Sequence, residues 1–231
     1  MKNVLKILTL SLLVTPLFAN TYLVKSIKGT VEVRRGVSEE WKTVKVGDLL
    51  RPEDTMRTEK KSSATITAEG KQLLIPEQTM VDISDFRQLT QEEFLLKLAM
   101  ENILAVPPRD NDKITIPRTT VLHGSDASKE AASGQQRLDS GLMQLQGAKF
   151  LYDNAYYATS ILKTKEMFRL FPGLEMNVDS RLRMASAFEK MKLVNEALAH
   201  YARLMTEQLP VTQQATVASA IERIRKVQNR R

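Results

Sequence analysis

The residues that invite a chemical reading fall in a few short runs. His123-Gly124-Ser125-Asp126 holds the residue types of a hydrolytic triad in one tetrapeptide. A working triad is built from side chains that separate elements aim at one point, a geometry sequence neighbours rarely hold. His123 therefore reads as a strand-end or turn residue. Asp110 and Asp112, within Arg109-Asp110-Asn111-Asp112-Lys113, imitate the start of a calcium loop. The glycine and later bidentate glutamate of such a loop are missing, so a solvated turn is expected. Glu39-Glu40 and Glu92-Glu93 are adjacent acids with nothing nearby to raise one pKa selectively. They read as a turn and a helix start. Arg223, Arg225, Lys226, Arg230 and Arg231 form a basic run near the C-terminus. Such a run attracts an anionic lipid, an acidic glycan or an acidic protein. It equally suits the negative end of a helix dipole. Nucleophile elbow, phosphate-binding glycine loop and zinc-protease helix are all missing from the sequence. The chain is expected to be no enzyme, with no cofactor and no metal.

Composition narrows the chemistry further. The chain has 231 residues, 34 Lys+Arg against 27 Asp+Glu, no cysteine and two histidines, His123 and His200. Without cysteine there is no disulfide framework, thiol nucleophile, iron–sulfur site or acylated lipobox cysteine. Two histidines poorly supply a His-rich metal site. A hydrophobic content of 42% suffices for one large or two small cores.

The elements that must position these residues begin after an address. Met1–Ala19 has Lys2 and Lys6, an uncharged apolar stretch from Ile7 to Phe18, and a small residue at its end. This is the layout of a secretory signal peptide, with cleavage expected after Ala19. The apolar stretch is shorter than the roughly 20 residues a spanning helix needs. Removal of two lysines lowers the formal charge from +7 to +5. A periplasmic protein, soluble or peripherally associated and not a lipoprotein, is expected. The basicity is unevenly placed: residues 20–90 are near neutral, 91–127 carry −2 and 128–231 carry +6.

From Tyr22 the sequence turns to short alternating runs punctuated by Gly29, Gly36, Gly47-Asp48, Gly70 and Pro76. This spacing predicts a small antiparallel β-sandwich or roll. Trp41, the only tryptophan, is expected to fill its core. A helix is predicted near 91–105, with Thr90 and Glu93 as a capping box and Pro107-Pro108 as its stop. Its apolar face, Phe94, Leu95, Leu98, Ile103 and Leu104, is expected to pack on the sheet.

Several motifs in this half occur in a specific order. Gly29-Thr30-Val31-Glu32-Val33-Arg34-Arg35-Gly36 is followed by Trp41, then Val46-Gly47-Asp48-Leu49-Leu50 and Glu53-Asp54-Thr55-Met56-Arg57-Thr58. Ser63-Ala64-Thr65-Ile66, Leu73-Leu74-Ile75 and Thr79-Met80-Val81-Asp82-Ile83 continue the series. Together they resemble the FecR-type domain, and Ile116–Ser125 resembles its closing segment, with His123 where an arginine is usual. The resemblance spans roughly residues 22–125, within a predicted β domain at 20–126. It implies a β-rich, non-enzymatic domain outside the inner membrane. In founding members that domain senses a loaded outer-membrane transporter and signals through a membrane helix to a sigma-factor regulator. An internal membrane helix and cytoplasmic segment are missing from the present sequence, so what carries over is a periplasmic interaction module.

After a small polar linker, Gly124–Gly134, the period changes to that of helices. Leu138, Leu142, Leu145 and Ala148 form one stripe. Ala148, Leu151, Tyr157 and Ser160 align with Ala185, Phe188, Val194 and Ala197 at an offset of 37 residues. Asp153-Asn154-Ala155 and Met191-Lys192-Leu193 then fall at bends. Small residues at helix contacts and a proline after the second helix resemble degenerate tetratricopeptide repeats. Val211–Asn229, with Ala215, Ala218, Ile221, Ile224 and Val227, reads as a closing amphipathic helix.

The predicted fold is therefore α+β, a small antiparallel sandwich followed by an α-helical hairpin-repeat domain at 127–231. The expected function is a non-catalytic periplasmic scaffold that binds an envelope component by its β domain and a protein by its repeats. Alternatives are binding of peptidoglycan or an anionic glycan, and sensory input to an envelope signalling system. No nucleic-acid partner is expected. Tyr156 and the basic run from Arg223 to Arg231 are the candidate contact residues.

Overall fold

The computed structural model describes residues 22–68, 70–106 and 127–229, with side chains from residue 136 onward in the last stretch. The predicted signal peptide at 1–19, the stretch 116–125, His123, Asp110, Asp112, Arg230 and Arg231 lie outside the described residues.

The N-terminal half folds as two four-stranded antiparallel sheets, as the alternating runs predict. β1 (Tyr22–Lys28), β4 (Leu49–Leu50), β6 (Ser63–Ala68) and β7 (Lys71–Ile75) form the first, ordered β4-β1-β6-β7. β2 (Val31–Arg34), β3 (Trp41–Thr43), β5 (Thr55–Thr58) and β8 (Thr79–Asp82) form the second, ordered β3-β2-β5-β8. The chain changes sheet at Gly29, whose φ of +72° suits glycine. A Cβ there would lie 2.4 Å from Ser62 Oγ, the atom that accepts a hydrogen bond from Thr30 N–H. Val24, Ile66 and Ile75 from one sheet meet Val31, Val33, Met56 and Val81 from the other in one buried core. Asp54, within the run Glu53–Thr58, is buried at 1% exposure. Its carboxylate accepts hydrogen bonds from Arg51 N–H and Arg35, pinning the loop that enters β5.

Six helices follow the strands. α1 (Gln91–Leu104) starts on the predicted capping box: Glu93 N–H donates to Thr90 Oγ1, and Thr90 N–H donates to the Glu93 carboxylate. It does not lie on the sheet. Phe94 inserts among the helices edge-on to Phe188, and Glu101 binds Arg169 at 2.6 Å. Of the predicted sheet-facing residues, Leu95, Ile103 and Leu104 are exposed. The helical core offers Phe94 a deeper site than the sheet, whose apolar side is already closed by its partner sheet.

α2 (Ala127–Asp153) runs through the expected linker residues Ser133-Gly134 and pairs with α3 (Tyr157–Leu170). α4 (Val178–Lys190), α5 (Val194–Met205) and α6 (Val211–Gln228) complete the array. The two hairpins share their turn. Ala155 and Lys192 both adopt positive φ, +65° and +62°. Tyr156 N–H donates to Leu151 O, and Leu193 N–H donates to Phe188 O, again 37 residues on. The small-residue contacts recur as well: Ala185 and Ala197 are fully buried, and Ser160 donates to Ala148 O at 2.7 Å. That bond satisfies the hydroxyl standing where an alanine is usual.

α2 joins the halves. Phe150, Leu151 and Tyr156 belong to the sandwich core, with Phe150 and Tyr156 edge-on to Phe86 at 6.0 Å. Gly147 presses on β8, where an added Cβ would lie 2.0 Å from Met80 O. Leu138 and Leu142, N-terminal on the predicted stripe, remain exposed, whereas Leu145 and Ala148 are buried. α6 buries Val217, Ala220 and Ile224, a stripe rotated from the predicted one, which leaves Ala215 and Val227 exposed.

Candidate interaction surfaces

Two of the concave surfaces among the described residues bring together polar groups from separate elements. The first is a groove of about 580 Å³ between α2, α4 and α6. Tyr152 comes from the first hairpin, Arg183 and Ser186 from the second, and Thr216, Ser219 and Arg223 from α6. The Tyr152 and Ser186 hydroxyls are hydrogen-bonded at 2.7 Å across the hairpins. Burial holds Arg183 below the usual guanidinium range, partly offset by Asp179 and Asp153. Arg183 donates to Ser180 Oγ at 3.0 Å. Hydroxyls at modest spacing around a guanidinium suit the backbone and acidic side chains of a peptide.

The predicted contact residues fare differently. Tyr156 is 1% exposed and packs on Phe86, so it is a core residue and not a contact. It stands at the hairpin turn, where the helical layer meets the sandwich, and periodicity alone does not reveal that second partner. Arg223 lines the groove, but both its Nε and Nη2 bind the Glu189 carboxylate at 2.9 Å. These bonds raise its pKa and tie α6 to α4. Arg225 and Lys226 are exposed on α6. His200 stacks on Phe188 at 5.1 Å, and burial beside Lys165, Arg203 and Arg181 lowers its pKa to about 4. It is a neutral packing residue.

The second surface was hidden in the sequence. Across the outer face of the second sheet, the register aligns Trp41, Arg34, Thr55 and Asp82 in one row. Arg34 donates to Thr55 Oγ1 at 3.4 Å, and Thr55 donates to Asp82 Oδ1 at 2.7 Å. The row ends at Lys163 of α3, whose ammonium donates to Asp82 Oδ2 at 2.6 Å. Trp41 is not in the core. On the edge strand β3 its ring covers Arg57 at 4.2 Å and lies 5.4 Å from Arg34. The inward positions of β2 belong to Val31 and Val33, and pairing Trp41 opposite Arg34 fixes the outward side.

Lys163 is the hub between the halves. Its side chain is 9% exposed and meets Asp82, Glu166 at 3.1 Å and Asp85 at 3.8 Å. Burial opposes its charge, but the three acids outweigh burial and raise its pKa. Burial would raise Asp82, but Lys163 and the Thr55 hydrogen bond hold it below the usual range. Asp85 goes the other way, to about 7: burial dominates, and neighbouring Asp82 and Glu166 add to it against Lys163. Asp85 Oδ2 is buried without a hydrogen-bond donor. The acids converge on an ammonium and thus form an ionic lock; among the described residues no His/Asp/Glu cluster is arranged to hold a metal. Only the separate letters of this cluster are visible in sequence, since Asp82 and Lys163 are 81 residues apart.

No family model matches the chain, and neither the curated proteins nor the solved structures include a significant match. Among the described residues no helix is long and apolar enough to cross a membrane.

Proposed function

We propose that the protein is a non-catalytic adaptor of the cell envelope whose helical groove holds a segment of a protein partner. The observation that carries this reading is the repeated hairpin. Two units with the same turn, stacked with α6, expose their first helices along one groove, the usual binding side of helical arrays. The FecR-like motifs and the export signal favour a periplasmic setting, with the β domain engaging a second envelope component. The ionic lock at Lys163 and the shared core suit a scaffold that holds two surfaces at a constant spacing.

The test is site-specific photocrosslinking in the native envelope. A photoreactive residue at Thr216 should capture a discrete partner. Ser219→Trp, which fills the groove from an exposed position, should abolish that capture while leaving the melting temperature unchanged. Capture no stronger than from a probe at exposed Lys60 would end the proposal.

A further inference from the structure

α1 carries apolar residues on every side, the pattern of a helix that is covered all round. Its inner side is accounted for: Phe94 packs on Phe188, and Glu101 binds Arg169. The side turned away from these contacts is bare. Leu96, Ile103 and Val106 are 65%, 70% and 65% exposed, flanked by Leu95 at 41% and Met100 at 56%. Ala99, between them, is exposed as well. Single apolar side chains are ordinary on a protein surface, but a contiguous face of them marks an interaction site. Charge is nearly absent from it. Glu93 closes the N-terminal cap and Glu101 is held by Arg169, so Glu92 is the acid on the outer line.

The spacing decides what this face can accept. Leu96, Ala99, Ile103 and Val106 recur at three and four residues, the two core positions of a heptad seam. Ala105 keeps αR geometry, so Val106 stays on the helical path beyond Leu104. Laid antiparallel against itself, the seam sets Leu96 opposite Val106 and small Ala99 opposite Ile103. A parallel pair would set Ala99 on Ala99, leaving a void, and Glu92 on Glu92, a like-charge contact. The antiparallel pair avoids both and opposes the two helix dipoles. Two such faces bury on the order of 1,000 Å² together, the floor for a specific interface.

We propose that the outer face of α1 docks on the same face of a second copy of this chain, as an antiparallel helix pair about a two-fold axis. The interface uses none of the residues that line the groove beside α6, so either proposal can fail alone. Its size makes the dimer a weak one, with a Kd of roughly 10 μM. Sedimentation equilibrium of the full mature chain from ~1 to ~100 μM should therefore show a monomer–dimer equilibrium. Ile103→Ser, at an exposed position, should weaken association by ~10-fold or more with an unchanged circular dichroism spectrum. Leu74→Ser, on β7 and similarly exposed, should leave association unchanged. The chain has no cysteine, so introduced thiols report the register cleanly. Leu96→Cys mixed with Val106→Cys should give a disulfide-linked dimer on oxidation. Leu96→Cys alone should not, because the two copies of residue 96 stand ~15 Å apart along the helix axis, beyond disulfide reach. A chain that stays monomeric at ~100 μM would overturn the proposal and leave the face to a different occupant. So would association lost in Leu74→Ser and kept in Ile103→Ser, or crosslinking of Leu96→Cys by itself.

Discussion

At the scale of single residues, Lys163 holds the most concentrated electrostatics. One ammonium serves three carboxylates, from β8, from the turn after it and from α3, so its loss strands all of them. Lys163→Met should destabilise the chain by about 3 kcal/mol, the low end for a broken buried pair because Asp82 and Glu166 retain some solvent. Urea denaturation at neutral pH measures this. Asp85 predicts a pH dependence of definite sign. Its folded pKa of about 7 stands above its ordinary value of 3.8, so the folded state holds the extra proton between them. Its contribution to stability is therefore complete below about pH 4 and is lost as pH rises through about 7. Asp85→Asn, which stays neutral, should flatten that decline. Urea midpoints of the two proteins compared at pH 5 and pH 8 should converge at the lower pH and separate at the higher. An equal pH slope in both would show that Asp85 is not the titrating group.

At the scale of elements, α2 carries the junction. Its approach to β8 depends on Gly147, because no side chain fits at 2.0 Å from a backbone oxygen. Gly147→Ala should lift the helix from the strand and cost about 1–3 kcal/mol as an overpacked contact. A lowered melting temperature with unchanged helix content by circular dichroism would mark the effect as tertiary, since alanine favours the helix itself. α1 gives the contrasting case. Its cap is local, and Thr90→Ala should cost about 1 kcal/mol. Proteolysis near residues 91–106 should quicken in that variant if the cap secures the element. The cap was legible from Thr90 and Glu93 because both partners lie within one turn. The landing place of Phe94 was not, because Phe188 is a contact of the folded chain alone.

At the scale of the whole molecule, the sandwich core contains residues of α2 and the hairpin turn, so the two halves are not energetically separate. Phe86 touches Phe150 and Tyr156 as well as Tyr22 of its own half. Residues 20–126 expressed alone should lose those contacts and show a lower urea midpoint than the full chain. The full chain should unfold in one transition, with Trp41 fluorescence and helical ellipticity changing together. Two separated transitions would mean that the shared core contributes little.

The sequence by itself determined the α+β class, the strand runs, the capping box and the 37-residue hairpin repeat. Those features rest on periodicity, turn chemistry and contacts between near neighbours, which a linear chain records directly. Only the tertiary structure decided that Tyr156 is buried, that Trp41 faces outward over Arg57, and that Lys163 joins Asp82 across 81 residues. Each depends on which surface is laid against which. An amphipathic element specifies that it has an apolar side, and the competition among all elements for burial selects the partner.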